Sequence, residues 1–90
     1  MEFEYDEPKS RSNREKHGID FIEAQSLWKD DDAIVVPANV VGKETRFALI
    51  SRYKEKCYTA IYTMRGDTCR IISVRRCRKN EEYHYENHLG

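Results

Sequence analysis

The sequence predicts an α+β domain in the order β-α-α-β-β-β-β-α, with helices packed on one face of an antiparallel sheet. Three observations carry this. Two early segments show helix caps and helix-type apolar spacing. Residues 46–76 then break into three strand-length, apolar-rich segments joined by short polar turns. Finally, 90 residues, 39% hydrophobic and 36% charged, suffice for one modest core but not two, so a single domain spans residues 1–90.

The elements follow in order. Phe3 and Tyr5 alternate with Glu2, Glu4 and Asp6, a short strand of period two. Asp6-Glu7-Pro8 opens a helix, since proline suits the first turn and acids favour the positive helix end. The helix is expected over 8–17, closed by Gly18 in a left-handed cap, with Lys16 and His17 at the negative end. Asp20, with Glu23 three residues later, reads as an N-cap with a capping box, and Ile19 as its hydrophobic staple. The second helix carries Phe21, Ala24, Leu27 and Trp28 on one stripe. Asp30-Asp31-Asp32 are unfavourable at a negative helix end and belong to the loop that follows.

Residues 33–37 read as a strand bounded by Pro37, and 39–44 as a turn around Gly42. Strands are expected at 46–53, 57–65 and 68–76. Gly66-Asp67 is a two-residue hairpin signal, and Lys54-Glu55-Lys56 make a slightly longer polar turn. Asn80 caps a terminal helix over 80–87, and residues 88–90 fray.

The net charge of zero conceals an asymmetry. Residues 1–42 hold 5 basic and 10 acidic side chains, residues 43–79 hold 11 basic and 3 acidic, and residues 80–90 hold 3 acidic and no Lys or Arg. Eleven cations against three anions exceed what pairing within the middle segment can neutralise, which points to an anionic partner. No apolar run approaches the roughly 18 residues of a membrane span, and no signal-peptide pattern opens the chain. A cytoplasmic protein without a membrane partner is expected. The cysteines Cys57, Cys69 and Cys77 are odd in number and form no C-x-x-C, so they read as reduced thiols. With His17, His84 and His88 scattered, no metal site and no cofactor are expected. P-loop, dinucleotide and G-x-S-x-G motifs are absent.

Pairing outward from the Gly66-Asp67 turn sets Arg65 opposite Thr68, Thr63 opposite Arg70, Ile61 opposite Ile72, Thr59 opposite Val74 and Cys57 opposite Arg76. The preceding hairpin sets Arg52 opposite Cys57 and Ile50 opposite Thr59, with Arg46 near Thr63. One surface is then Ala48, Ile50, Ile61, Ile72 and Val74, edged by Arg52 and Arg76 at one end and by Arg46, Arg65 and Arg70 at the other. The opposite surface, with Phe47, Leu49, Ala60, Tyr62, Met64 and Ile71, suits the helices. The arginine-edged surface is left open, and a one-residue slip would exchange the two sets. Arg75 falls on the helix side beside Tyr58 and Ser73, where a phosphate-binding role and an ion pair with Glu81 or Glu82 both stand.

Such an inventory suits metal-independent phosphodiester chemistry. RNA carries its own nucleophile in the 2′-hydroxyl, so an enzyme must orient it, stabilise the phosphorane and move protons. Arginine forks meet the second need, and a histidine titrating near neutrality meets the third, with His17 the candidate. The Lys16-His17-Gly18 end is equally explained as a helix C-cap. Tyr53, Tyr58 and Tyr62 can stack on an unpaired base or serve the core.

Two motifs carry a resemblance. The first, N-x-x-K-H-G-I-x-F-x-E-A, comprises Asn13, Lys16, His17, Gly18, Ile19, Phe21, Glu23 and Ala24. The second, R-I-I-S-x-R-R, runs from Arg70 to Arg76 and precedes a terminal helix with Glu82 and Tyr85. The chain resembles the BrnT family, small bacterial ribonuclease toxins of type II toxin–antitoxin modules with a RelE-like fold. The resemblance implies an RNA-cleaving toxin that halts translation. It also implies neutralisation by an antitoxin resembling BrnA, whose ribbon-helix-helix domain binds promoter DNA. At motif positions it places Lys16, His17, Arg52, Arg65, Arg70 and Arg75. The expected catalytic set is accordingly His17, Lys16, Arg52, Arg65 and Arg75, and the expected RNA-binding set Arg46, Arg70, Arg76 and Tyr58. The alternative is a non-catalytic module that docks an antitoxin or nucleic acid on the same open face.

Overall fold

A computed structural model describes residues 1–89, so that of the expected fraying end Gly90 lies outside the described residues. The chain forms β1 (Glu2–Glu4), α1 (Glu7–His17), a 3-10 helix (Glu23–Lys29), β2 (Ile34–Val41), β3 (Glu44–Tyr53), β4 (Lys56–Arg65), β5 (Thr68–Arg76) and α2 (Lys79–Leu89). Helix α1 starts where the Asp6 carboxylate accepts the Lys9 amide, and it ends at Gly18, left-handed at φ 75°, whose amide donates to the Arg14 carbonyl. Asp20 accepts the Glu23 amide at 2.7 Å, closing the turn at 21–22 that leads into the second helix. The N-cap position itself falls on Ile22, not on Asp20 as expected. That helix is 3-10 rather than α. Its buried side chains, Ala24 and Leu27, continue the three-residue spacing set by Phe21 in the preceding turn, the period at which a 3-10 helix stacks side chains directly above one another.

The five strands form one sheet in the order β1-β5-β4-β3-β2. From β2 to β5 it is an antiparallel meander, but β1 runs parallel to β5, with Phe3 beside Cys69, so the sheet is mixed and not antiparallel throughout. The meander leaves two edges. The chain enters along the β5 edge and crosses one face, through α1 and the 3-10 helix, to begin β2 at the other. Pro37 does not end β2, because an edge strand tolerates a missing ladder donor; the register slips only between Pro37 and Val40. The β3–β4 turn is shorter than expected, with Lys54 and Glu55 both at positive φ and Tyr53 already paired with Lys56.

The main core lies between the sheet and the first two helices: Ile19, Phe21, Ala24 and Leu27 meet Leu49, Tyr58, Ala60, Tyr62, Cys69, Ile71 and Val74. Trp28 packs edge-on to Phe3 and Tyr62. Helix α1 itself is polar and docks by hydrogen bonds. Buried Asn13 donates to the Ile19 carbonyl at 2.8 Å and accepts the Val74 amide at 3.1 Å, and buried Ser10 accepts the Phe21 amide. Since β1 pairs only with 68–70, these contacts place α1 along the unpaired remainder of the β5 edge.

Three expectations about the sheet are corrected, and two share a cause. Pairing of β4 with β5 follows the expected register as far as Tyr62 opposite Ile71, then shifts so that Ile61 faces Ser73. Ile72 is the extra residue of a β-bulge. Beyond it, Thr59 faces Arg75 and Tyr58 faces Arg76. Arg75 therefore belongs to the face expected to be open and Arg76 to the helix side, the reverse of the expectation, and Val74 moves into the main core. The same shift brings Cys77 alongside Cys57, where the two form a disulfide with Cα atoms 5.3 Å apart; only Cys69 is a free, buried thiol. All three had been expected to be reduced. The third correction concerns α2, which covers part of the second face. Tyr85 is buried there with Ile50 and Cys57, against Ile34, Val36 and Cys77. Helices thus pack on both faces.

Candidate functional site

The Ile72 bulge opens the seam between α1 and β5 into a cavity of about 170 Å³, lined by Lys9, Ser12, Asn13, Lys16, His17, Ile72 and Ser73. Lys9, Ser12 or Asn13, and Lys16 stand three and four residues apart, so α1 turns one face to it. Bulges bend a strand and re-aim its side chains, which is why they recur beside active sites. Here Ser73 enters the lining from the second sheet face, and Arg75 follows two residues along that face. His17 closes α1 next to Gly18, so one helix end supplies both a cap and a cavity wall. Lys16 and His17 are solvent-exposed, as a site open to a large substrate requires.

Arg75 itself is engaged. Its two terminal nitrogens donate to the two Glu81 carboxylate oxygens at 2.7 and 2.9 Å, the ion pair anticipated as one of its two readings. These hydrogen bonds raise the Arg75 pKa and, with help from the Arg78 amide, hold Glu81 down at about 2. Arg52 stands at the same end of that face, on β3, donating to Glu86 at 2.9 Å with its guanidinium 5.3 Å from the Tyr85 ring centroid. Helix α2 therefore supplies carboxylates to two arginines of the expected catalytic set.

Asp30 fixes α2 to the sheet. Burial pushes its carboxyl up, but hydrogen bonds from the Tyr85 hydroxyl, the Asp32 and Arg52 amides and Ser51 outweigh that and hold it below its ordinary range. Tyr85 answers in the opposite sense, pushed up to about 12 by burial and by the hydrogen bond to Asp30.

Arg65 and Arg70 sit at the β1 end, 3.8 and 4.0 Å from Glu4 oxygens. Arg46 is half-buried, and its buried Nε has no hydrogen-bond partner among the described residues. Arg76 lies over the Tyr58 ring at 5.7 Å on the helix side, and Tyr58, only 7% exposed, is a core ring without a free face for a base. The structure thus brings Lys16 and His17 together in one cavity and leaves Arg75 outside its lining, two residues along β5 from Ser73. Arg52 and Arg65 stand at opposite ends of the sheet.

Sequence reasoning missed Lys9, Ser12 and Ser73 in the lining, and Asn13 as the brace behind it. The signal for the first two was their spacing with Lys16; Ser73 has none, because its face depends on the bulge. No group of three or more His, Cys, Asp or Glu positioned to hold a metal occurs among the described residues. No helix is long and apolar enough to cross a membrane among them.

A protein-family model described as the ribonuclease toxin BrnT of type II toxin–antitoxin systems matches residues 5–81. No curated protein matches the chain.

Proposed function

The chain belongs to the BrnT family of ribonuclease toxins of type II toxin–antitoxin systems, and from that premise we propose that it is an endoribonuclease whose reaction centre is the α1–β5 cavity. The observation that carries this is the convergence of Lys16, His17 and Ser73 on one open cavity where helix α1 meets strand β5, which carries Arg70, Arg75 and Arg76. In this reading the RNA 2′-hydroxyl attacks the adjacent phosphorus. The P–O5′ bond breaks as the P–O2′ bond forms, leaving a 2′,3′-cyclic phosphate. His17 relays the proton lost by the 2′-hydroxyl to the departing 5′-oxygen, and Lys16 stabilises the negative charge that builds on the phosphorane. Arg75 adds charge outside the cavity lining, balanced in the resting protein by Glu81. Arg52 and Arg65 bind the strand on either side, with Arg46, Arg70 and Arg76 adding attraction for the backbone and Tyr58 supporting Arg76. No metal takes part in the proposed step.

The RelE-like classification, inhibition of translation and action in the bacterial cytoplasm belong to the same proposal. So does neutralisation by a BrnA-like antitoxin whose ribbon-helix-helix domain reads promoter DNA. A specific observation favours the second reading, a non-catalytic docking module: Glu81 and Glu86 already occupy Arg75 and Arg52. Purified protein, His17→Ala and Lys16→Ala, each checked for folding by circular dichroism, are to be incubated with single-stranded RNA in excess EDTA. Cleavage by the wild type that falls at least about a hundredfold in both variants supports the enzyme. Cleavage undiminished in both would remove the cavity from the mechanism.

A further inference from the structure

Beyond Lys16 and His17, the cavity continues toward the start of α1, and nothing in the proposed chemistry uses that half. Lys9 and Ser12 line it. Lys9 lies seven residues from Lys16, two helical turns or about 10 Å along the axis. Neither lysine has a carboxylate within salt-bridge distance among the described residues, whereas Arg14, Arg52, Arg65, Arg70 and Arg75 all do. Nor do the Ser12 and Ser73 hydroxyls form a side-chain hydrogen bond with any described residue. The Asn13 amide, by contrast, is spent on Ile19 and Val74. The lining therefore presents two unpaired ammonium groups and two free hydroxyls, donors of the kind that bind phosphate oxygens.

The space is limited. A cavity of about 170 Å³ has room for a unit the size of a sugar–phosphate. Apart from the His17 imidazole at one end, no ring lines the cavity, so its Lys9 end offers no stacking platform for a base.

We propose that Lys9 and Ser12 form a second phosphate subsite, which holds the phosphodiester next to the one positioned at Lys16 and His17. The preferred ligand is then a single RNA strand of at least three nucleotides, gripped at this position by its backbone irrespective of base. This rests on the ribonuclease reading of the cavity and adds a positioning residue, Lys9, to it.

The test compares 2′-O-methyl RNA ligands, which cannot be cleaved: a dinucleotide with one phosphodiester and a trinucleotide with two. Binding to wild type, Lys9→Ala and Ser12→Ala is followed by NMR titration over a range of salt. Lys9 is solvent-exposed at the helix surface, so its truncation leaves the fold intact, which the same spectra verify. Lys9→Ala is expected to weaken the trinucleotide about five- to tenfold more than the dinucleotide at low salt. It should also flatten the trinucleotide salt dependence by about 0.7 in slope, the value for one phosphate contact on a single strand. With cleavable trinucleotide, the loss falls on KM rather than kcat. Equal weakening of both ligands, or none, overturns the second subsite. Failure of the ribonuclease reading looks different: the binding pattern persists while wild type cleaves no RNA.

Discussion

Glu81→Gln removes one carboxylate from the joint between β5 and α2, and the size of its effect follows from that carboxylate's surroundings. Both oxygens accept hydrogen bonds from Arg75, at 2.7 and 2.9 Å, and one also accepts the Arg78 amide at 2.7 Å. The side chain is only 15% exposed. These contacts, the Arg75 hydrogen bonds foremost, depress its pKa from 4.5 to about 2, which corresponds to about 3 kcal/mol of folding stability. Because the folded-state pKa is the lower one, that stability is complete above the unfolded value and disappears as pH falls through about 2. At neutral pH the variant is therefore expected to be about 3 kcal/mol less stable than wild type. For a chain of this size that lowers the melting temperature by at least about 12 °C. Denaturant unfolding of both proteins between neutral pH and pH 2 measures the difference. It should shrink steadily below the unfolded pKa and vanish near the folded one. Two curves that run parallel over the whole window would refute the assignment of Glu81 as a depressed, Arg75-bound carboxylate.

Three further outcomes follow from buried contacts. Tyr85→Phe deletes the 2.7 Å hydrogen bond to the Asp30 carboxylate. It should cost about 1.5–3 kcal/mol in urea unfolding and raise the Asp30 pKa, read by carboxyl-carbon NMR. Asn13→Ala strands the Ile19 carbonyl and the Val74 amide, both buried, and is expected to lose at least about 2 kcal/mol, with faster amide exchange at Val74. In denaturant without reductant, one thiol per chain should react, that of Cys69, and three after reduction. Opening the Cys57–Cys77 bridge, which spans 20 residues, should lower stability by about 3 kcal/mol. Three reactive thiols before reduction would show that the bridge does not form.

Local chemistry by itself determined much of this protein. Asp6 and Gly18 cap α1 as their types demand, Asp20 ties the turn before the 3-10 helix, and Gly66 and the strand alternation place the meander with its β3–β4 register intact. Lys16 and His17 of the Lys16-His17-Gly18 motif line one end of the cavity, because a capped helix end is a local feature and its neighbours in sequence are its neighbours in space. Features set by long-range pairing were not legible. Residues 71–74 read equally well as an unbroken strand, since neither Gly nor Pro marks the bulge at Ile72. The bulge arises where α1 lies against the β5 edge, with Asn13 holding the Val74 amide. One extra residue inverts the faces of everything after it, which is why Arg75 and Arg76 exchanged sides, Cys77 met Cys57 and Ser73 joined the cavity. The parallel pairing of β1 and the seat of α2 were decided the same way, by which edge and which apolar patch the rest of the chain left uncovered. A side chain's type is written in the sequence; the face it occupies after a bulge is settled only when the strand has a neighbour.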